Sequence, residues 1–207
     1  MSNFRRPKNL TTRRMQETRP NPPKEHSTSP RPAREIRWNC PVAAKCGGCQ
    51  LTRLSYAEQL QWKQRRVTEL LDGICEVRPI LGMDDPFHYR NKVHAVLSVD
   101  KAGKPISGVY AMGTHRVVPV RHCLIEDRRA DRIIQTIVAM LPAYKLRIYN
   151  EYTHRGFLRH ILIRTGHVTG QIMVVLVATS LEFPGKKAFV QELIQRHPEI
   201  TTVVLNC

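Results

Sequence analysis

The stretch Cys40-Pro-Val-Ala-Ala-Lys-Cys46-Gly-Gly-Cys49 sets three cysteines within ten residues, beside two adjacent glycines. Three thiolates this close cannot share a metal centre while the chain is extended, so the segment must fold back on itself. Cys123, at the end of Arg116-Val-Val-Pro-Val-Arg-His-Cys123, is the fourth candidate and closes a long loop around the site. Four cysteine thiolates suit an iron–sulfur cluster. The two-residue gap between Cys46 and Cys49 suits zinc equally well, and zinc stays open. The five-residue gap from Cys40 to Cys46 is less usual for a structural zinc knuckle. Gly47 and Gly48 are expected to let the backbone approach the sulfurs and to take positive φ. A disulfide is disfavoured because nothing else in the chain has a secreted character. Cys75 has no nearby partner and reads as a core thiol.

The chain has 207 residues, room for one or two domains, and 42% of them are hydrophobic, enough for a core. No run reaches the roughly 18 apolar residues that span a bilayer. Ile172-Met-Val-Val-Leu-Val-Ala178 fits a buried strand instead. The N-terminus has no apolar signal-peptide core, so a cytoplasmic protein without membrane partners is expected. The formal charge of +16 favours a polyanionic partner, nucleic acid before an acidic membrane surface. A soluble basic protein without such a ligand is the plain alternative. Residues 1–37 hold six prolines, ten Arg or Lys and three Glu. Such a segment cannot bury enough apolar surface to offset its ordering entropy, so a disordered basic arm is expected. It would serve either as an RNA tether or as a solvated tail. Residues 38–207 form the folded part.

Ser55 and Glu58 make a capping box at the start of a first helix, and Gly73 stands where its C-terminal glycine belongs. Tyr56, Leu60, Val67, Leu70 and Leu71 share one face of it. From His88 the period becomes two. Val93, Ala95, Leu97 and Val99 alternate with Lys92, His94 and Ser98, as in a half-buried strand. Asp100–Lys104 is a turn to a strand near Ile106–Ala111, and a third strand lies near His115–Val120. A second helix starts near Glu126. Its stripe of Ala130, Ile133, Ile134, Ile137, Val138 and Leu141 is core packing, and Pro142 ends it. Tyr144–Tyr152 reads as a strand. Phe157–Thr165 and Gln171–Ala178 read as a hairpin across Gly166–Gly170. A helix over Gly185–Arg196 and a strand over Thr201–Leu205 complete the pattern. The expected fold is α+β: a mostly antiparallel mixed sheet with about three helices. A domain seldom stops just after a strand, as here at Cys207, so a truncated chain is expected.

Tyr89-Arg90-Asn91-Lys92 offers a ring, a guanidinium fork, an amide and a point charge in four residues. Arg155-Gly-Phe-Leu-Arg159 is similar, and Arg164 follows on the same strand. Basic residues interleaved with aromatics on a sheet suit single-stranded or looped RNA. Tyr89, Arg90, Lys92, Arg155, Arg159 and Arg164 are therefore the candidate RNA-binding set. For each arginine alone, an ordinary surface charge is the competing reading. The histidines, His94, His115, His122, His154 and His160, read as solvated or hydrogen-bonded rather than as ligands, with His122 the exception to watch because it adjoins Cys123.

The Cys40–Cys49 loop followed by Gln50, and Leu54-Ser-Tyr-Ala-Glu-Gln-Leu60, resemble the S-adenosylmethionine-dependent RNA uracil-C5 methyltransferases. So do Phe87-His-Tyr-Arg-Asn-Lys92, Val120-Arg-His-Cys123 and Gly156-Phe-Leu-Arg-His-Ile161. The resemblance runs from about Trp38 to the end. It implies a 4Fe-4S cluster on Cys40, Cys46, Cys49 and Cys123, supporting structure and RNA engagement rather than methyl transfer. It implies ribosomal or transfer RNA as the partner, with 23S ribosomal RNA expected, and a monomer. Many members carry a small β-barrel RNA-binding domain before the cluster, where this chain has the basic arm. The family's Rossmann domain, which binds S-adenosylmethionine and carries the nucleophilic cysteine and the base, lies past the point where this chain stops. Neither Cys75 nor Cys207 sits in the matching motif, so no catalytic residue is assigned. A stand-alone RNA-binding module stabilised by a cluster or by zinc is the alternative. An iron–sulfur redox protein is a weaker one.

Overall fold

The structure is a computed structural model that describes residues 37–207. The basic arm expected over residues 1–37 thus lies, Arg37 apart, outside the described residues. The first element, α1 (Tyr56–Leu70), begins where the sequence places it. The Ser55 hydroxyl accepts the Glu58 N–H at 3.3 Å, and the Glu58 carboxylate accepts the Ser55 N–H at 2.6 Å. Gly73 follows the helix with φ +72°. The apolar face of α1 is not sealed: Val67 is 44% and Leu70 58% exposed. What braces α1 is the segment after it. The Gln64 side chain accepts from the Ile80 N–H at 2.6 Å, and the Tyr56 hydroxyl accepts from the Met83 N–H at 2.7 Å.

Six strands follow: β1 (Lys92–Val99), β2 (Pro105–Tyr110), β3 (Val117–Pro119), β4 (Leu158–Thr165), β5 (Ile172–Ala178) and β6 (Ile200–Asn206). They make one sheet in the order β3-β2-β1-β4-β5-β6. Every pairing is antiparallel except β5 with β6. That exception follows from the connection, because helix α3 (Lys186–Arg196) crosses from the end of β5 back to the start of β6. The other helix, α2 (Arg128–Met140), is N-capped by Asp127. Its stripe is buried as the pattern requires: Ala130, Ile133, Ile137 and Leu141 are at 0% exposure. It meets Val93, Ala95 and Leu97 of β1, Ile161 and Ile163 of β4, Val174 and Leu176 of β5, and Phe189 and Leu193 of α3 in one core. Each such fully buried aliphatic side chain contributes roughly 1.5–3 kcal/mol. Helices thus cover one face of the sheet. The other face carries no helix among the described residues.

Two strand expectations change. Val99 has the right parity for the core but is 51% exposed, because β1 ends there at the Asp100 turn. Tyr144–Tyr152 is not a strand. Its pairings are isolated bridges, Ile148 parallel to Leu158 and Asn150 antiparallel to Arg155. Their directions conflict within three residues, so no continuous ladder can grow from them. The bend is fixed by Gly156 at φ +121°, where an added Cβ would come within 2.3 Å of the Ile148 carbonyl oxygen.

Candidate functional site

The Cys40–Cys49 loop is a run of turns. The Val42 carbonyl accepts the N–H groups of Lys45 and Cys46 at 2.9 and 2.8 Å. Cys46 then bridges to Ala111, just past β2, which fixes the loop against the sheet. Gly47 lies so close to Met112 that a Cβ would sit 3.2 Å from the Met112 Cβ. Its need for glycine is therefore close approach. Neither Gly47 nor Gly48 has the positive φ expected of them. The Gly48 N–H points at the Cys46 sulfur at 3.4 Å, the donor that a thiolate needs.

Cys123 is brought to this loop by backbone pairing further on. The N–H groups of His88 and Arg90 donate to the carbonyls of Leu124 and Ile125 at 2.9 and 2.8 Å, and the Asp127 N–H donates to the Arg90 carbonyl at 3.1 Å. The Cys123 N–H is held by the Asp131 carboxylate at 2.9 Å. As a result Cys40, Cys46, Cys49 and Cys123 all line one cavity of about 50 Å³, with Trp38, Arg90 and Glu126 in its wall. All four thiols are free and partly buried. Burial, then the neighbouring Cys46, raise the Cys49 thiol, against which Arg90 acts as a nearby cation. Burial pushes Cys123 up to about 11, while N–H groups of Ile125 and Glu126 favour its thiolate. Glu126 is pushed up to about 7 by burial and then by the neighbouring Asp131. Trp38 Nε1 is a buried donor with no partner, and the ring packs on Phe87 at 4.8 Å. Cys75 is exposed and stands apart from the cavity, so it is not the core thiol expected. Among the described residues, no group of three or more His, Cys, Asp or Glu is placed to hold a metal ion.

The candidate RNA residues separate into two places. Lys92 and Arg164 are directly paired across β1 and β4, so they share the helix-free face. Arg159 stands at a bulge between Leu158 and His160 and lays its guanidinium 4.1 Å from the Tyr149 ring centre. Arg155 is exposed on the turn that pairs with Asn150. Tyr89 is 53% exposed, whereas its neighbour Arg90 lines the cysteine cavity. On the same open face His94 and His160 meet edge to face at 4.8 Å, and burial lowers both below the usual imidazole range. Sequence reasoning missed Trp38, Glu126 and Asp131 around the thiols. It also missed Tyr110, His115, Tyr149 and Glu151 on the sheet. A polar Asp131 inside an otherwise apolar helix stripe was one available signal. The Tyr-Asn-Glu-Tyr run at 149–152 was another.

No family model matches the chain. A protein of Bacillus cereus (strain ATCC 14579), described as an uncharacterized RNA methyltransferase, is 37% identical over 172 residues, covering 81% of this chain and 37% of that protein. One of Clostridium tetani with the same description is 38% identical over 178 residues, covering 84% and 38%. Over the segment they share, the chain is similar to these RNA methyltransferases. It spans somewhat over a third of the length of these curated relatives, 37% and 38%. The fold is also that of a solved structure, the Pyrococcus abyssi tRNA (uracil-54, C5)-methyltransferase in complex with S-adenosyl-L-homocysteine. The TM-score is 0.54 at 24% identity, covering 72% of this chain and 35% of that one.

Proposed function

We propose that this chain is the RNA-engaging, cluster-bearing part of an RNA uracil-C5 methyltransferase acting on 23S ribosomal RNA. Methyl transfer itself, with S-adenosylmethionine, belongs to the family's Rossmann domain, to which no residue here is assigned. The observation that carries the reading is the meeting of four cysteines, from two distant segments, around one cavity. The donor set fits a 4Fe-4S cluster. A zinc ion needs all its thiolates about 2.3 Å from a single point. A cluster instead takes one cysteine on each iron, so its ligands surround a volume. Thiols from two segments that line one void suit the second case. The backbone N–H groups aimed at Cys46 and Cys123, and the orphan Trp38 Nε1, are the donors that cluster sulfur accepts. When bound, the cluster supplies a cross-link between the loop and the sheet. Arg90 offers its cation to the thiolates of that site, and Lys92, Arg155, Arg159, Arg164 and Tyr89 provide the cationic and aromatic contacts for RNA. A cytoplasmic monomer fits this reading.

Iron and sulfide analysis after anaerobic preparation tests it. Cys46→Ser lowers iron content and loosens the fold, whereas Cys75→Ser retains both. Equal iron in the two variants, or stoichiometric zinc in the parent, refutes the ligand set.

A further inference from the structure

The helix-free face of the sheet holds a second cavity, of about 150 Å³, which shares no lining residue with the thiol cavity. One wall is the Tyr149 ring with the Arg159 guanidinium stacked on it at 4.1 Å. Arg159 reaches it because the β4 bulge leaves this residue out of the ladder and re-aims its side chain. Tyr152 stands at the rim and is 87% exposed, so burial in this fold gives no reason for an aromatic ring there. Glu151 lies in the same wall. Its Oε1 accepts the Tyr110 hydroxyl at 3.1 Å, and its Oε2 lies 2.8 Å from His115 Nδ1. Those hydrogen bonds hold Glu151 below the usual carboxylate range, so it is an anion at neutral pH.

A carboxylate is the wrong group for a phosphate and the right one for N–H donors on a base edge. Aromatic and guanidinium planes give a base its stacking surface. The cavity suits a single heterocycle, and the Lys92–Arg164 pair on the same face can hold the adjoining phosphates. We propose that this cavity is a subsite for one unstacked RNA base, stacked against Tyr152 and the Arg159–Tyr149 platform with its N–H edge toward Glu151. The inference rests on the RNA-engaging reading above and names what that face takes.

The test compares two ligands for the full chain by fluorescence anisotropy. One is a single-stranded RNA of about six nucleotides, within the usual footprint of such sites. The other is a wholly abasic ribose-phosphate strand of the same length and charge. The parent prefers the base-bearing strand at least about tenfold, the range of one stacked base. Tyr152→Ala, at an exposed position, keeps the fold and loses most of that preference, with an unchanged salt slope because no phosphate contact is removed. Glu151→Gln weakens the base-bearing strand and spares the abasic one. Equal affinity for the two strands, or a preference that survives Tyr152→Ala, overturns the subsite while salt-dependent binding leaves the RNA reading standing. Absence of salt-dependent binding to either strand overturns both.

Discussion

Gly156 shows how much a single position can decide. At φ +121°, with the Ile148 carbonyl where a Cβ would go, it has neither the conformation nor the space for a side chain. Gly156→Ala is expected to cost about 3 kcal/mol or more, since strain and overpacking combine. Gly103 has φ +76° but open space around it, so Gly103→Ala should cost only about 1 kcal/mol. Urea denaturation midpoints of the two variants check the contrast. The paired imidazoles of His94 and His160 make a second test at this scale. Burial lowers both, and His94 further disfavours the charge on His160. A folded-state value below the unfolded one means that the unfolded chain takes up protons first. Stability is therefore full above about pH 6.5, the ordinary imidazole value, and declines as pH falls through the lowered folded value. His160→Gln should flatten that decline in thermal melts recorded from neutral to mildly acidic pH. An unchanged slope would exclude the pair as its source.

Among elements, α1 and α2 make the useful comparison, because both carry apolar residues at helical spacing and their surroundings differ. Both have an apolar face. That of α2 lies in the core, with Ile137 at 0% exposure, and that of α1 leaves Leu70 at 58%. Ile137→Ala should cost about 2–5 kcal/mol, while Leu70→Ala should stay within about 0.5 kcal/mol. Chemical denaturation of each variant decides it. Helices and hairpins were legible because their signals are local: the Ser55–Glu58 box, the Asp100–Lys104 turn, the alternation in β4 and β5. The stretch 144–152 was not. Its strand-like composition is set against bridges of opposite direction, which depend on Leu158 and Arg155 and cannot be read from the stretch alone. That Cys40, Cys46 and Cys49 stand together was legible from ten residues of sequence, and the structure places them with Cys123 around one cavity. That Arg90 faces those thiols was not, because the pairing of residues 88–90 with 124–127 places it there.

For the molecule as a whole, charge and architecture act together. Helices α2 and α3 take one side of the sheet, leaving Lys92, Arg159 and Arg164 on or beside the bare side of a chain with formal charge +16. Arg164→Ala should lower the dependence of log affinity for single-stranded RNA on log salt by about 1, the signature of one lost phosphate contact. A slope equal to that of the parent would make Arg164 an ordinary surface charge. Arg159→Ala should lose the stacking platform as well, and so weaken binding even at low salt.

The pairing that delivers Cys123 also sets an order of events during synthesis. Cys40, Cys46 and Cys49 leave the ribosome first, and the Leu124–Asp127 strip that must dock on His88–Arg90 leaves later. Until it does, a newborn chain presents three thiols with no fourth companion. That interval, rather than the finished fold, is when oxidants and stray ions have their best access to these three thiols.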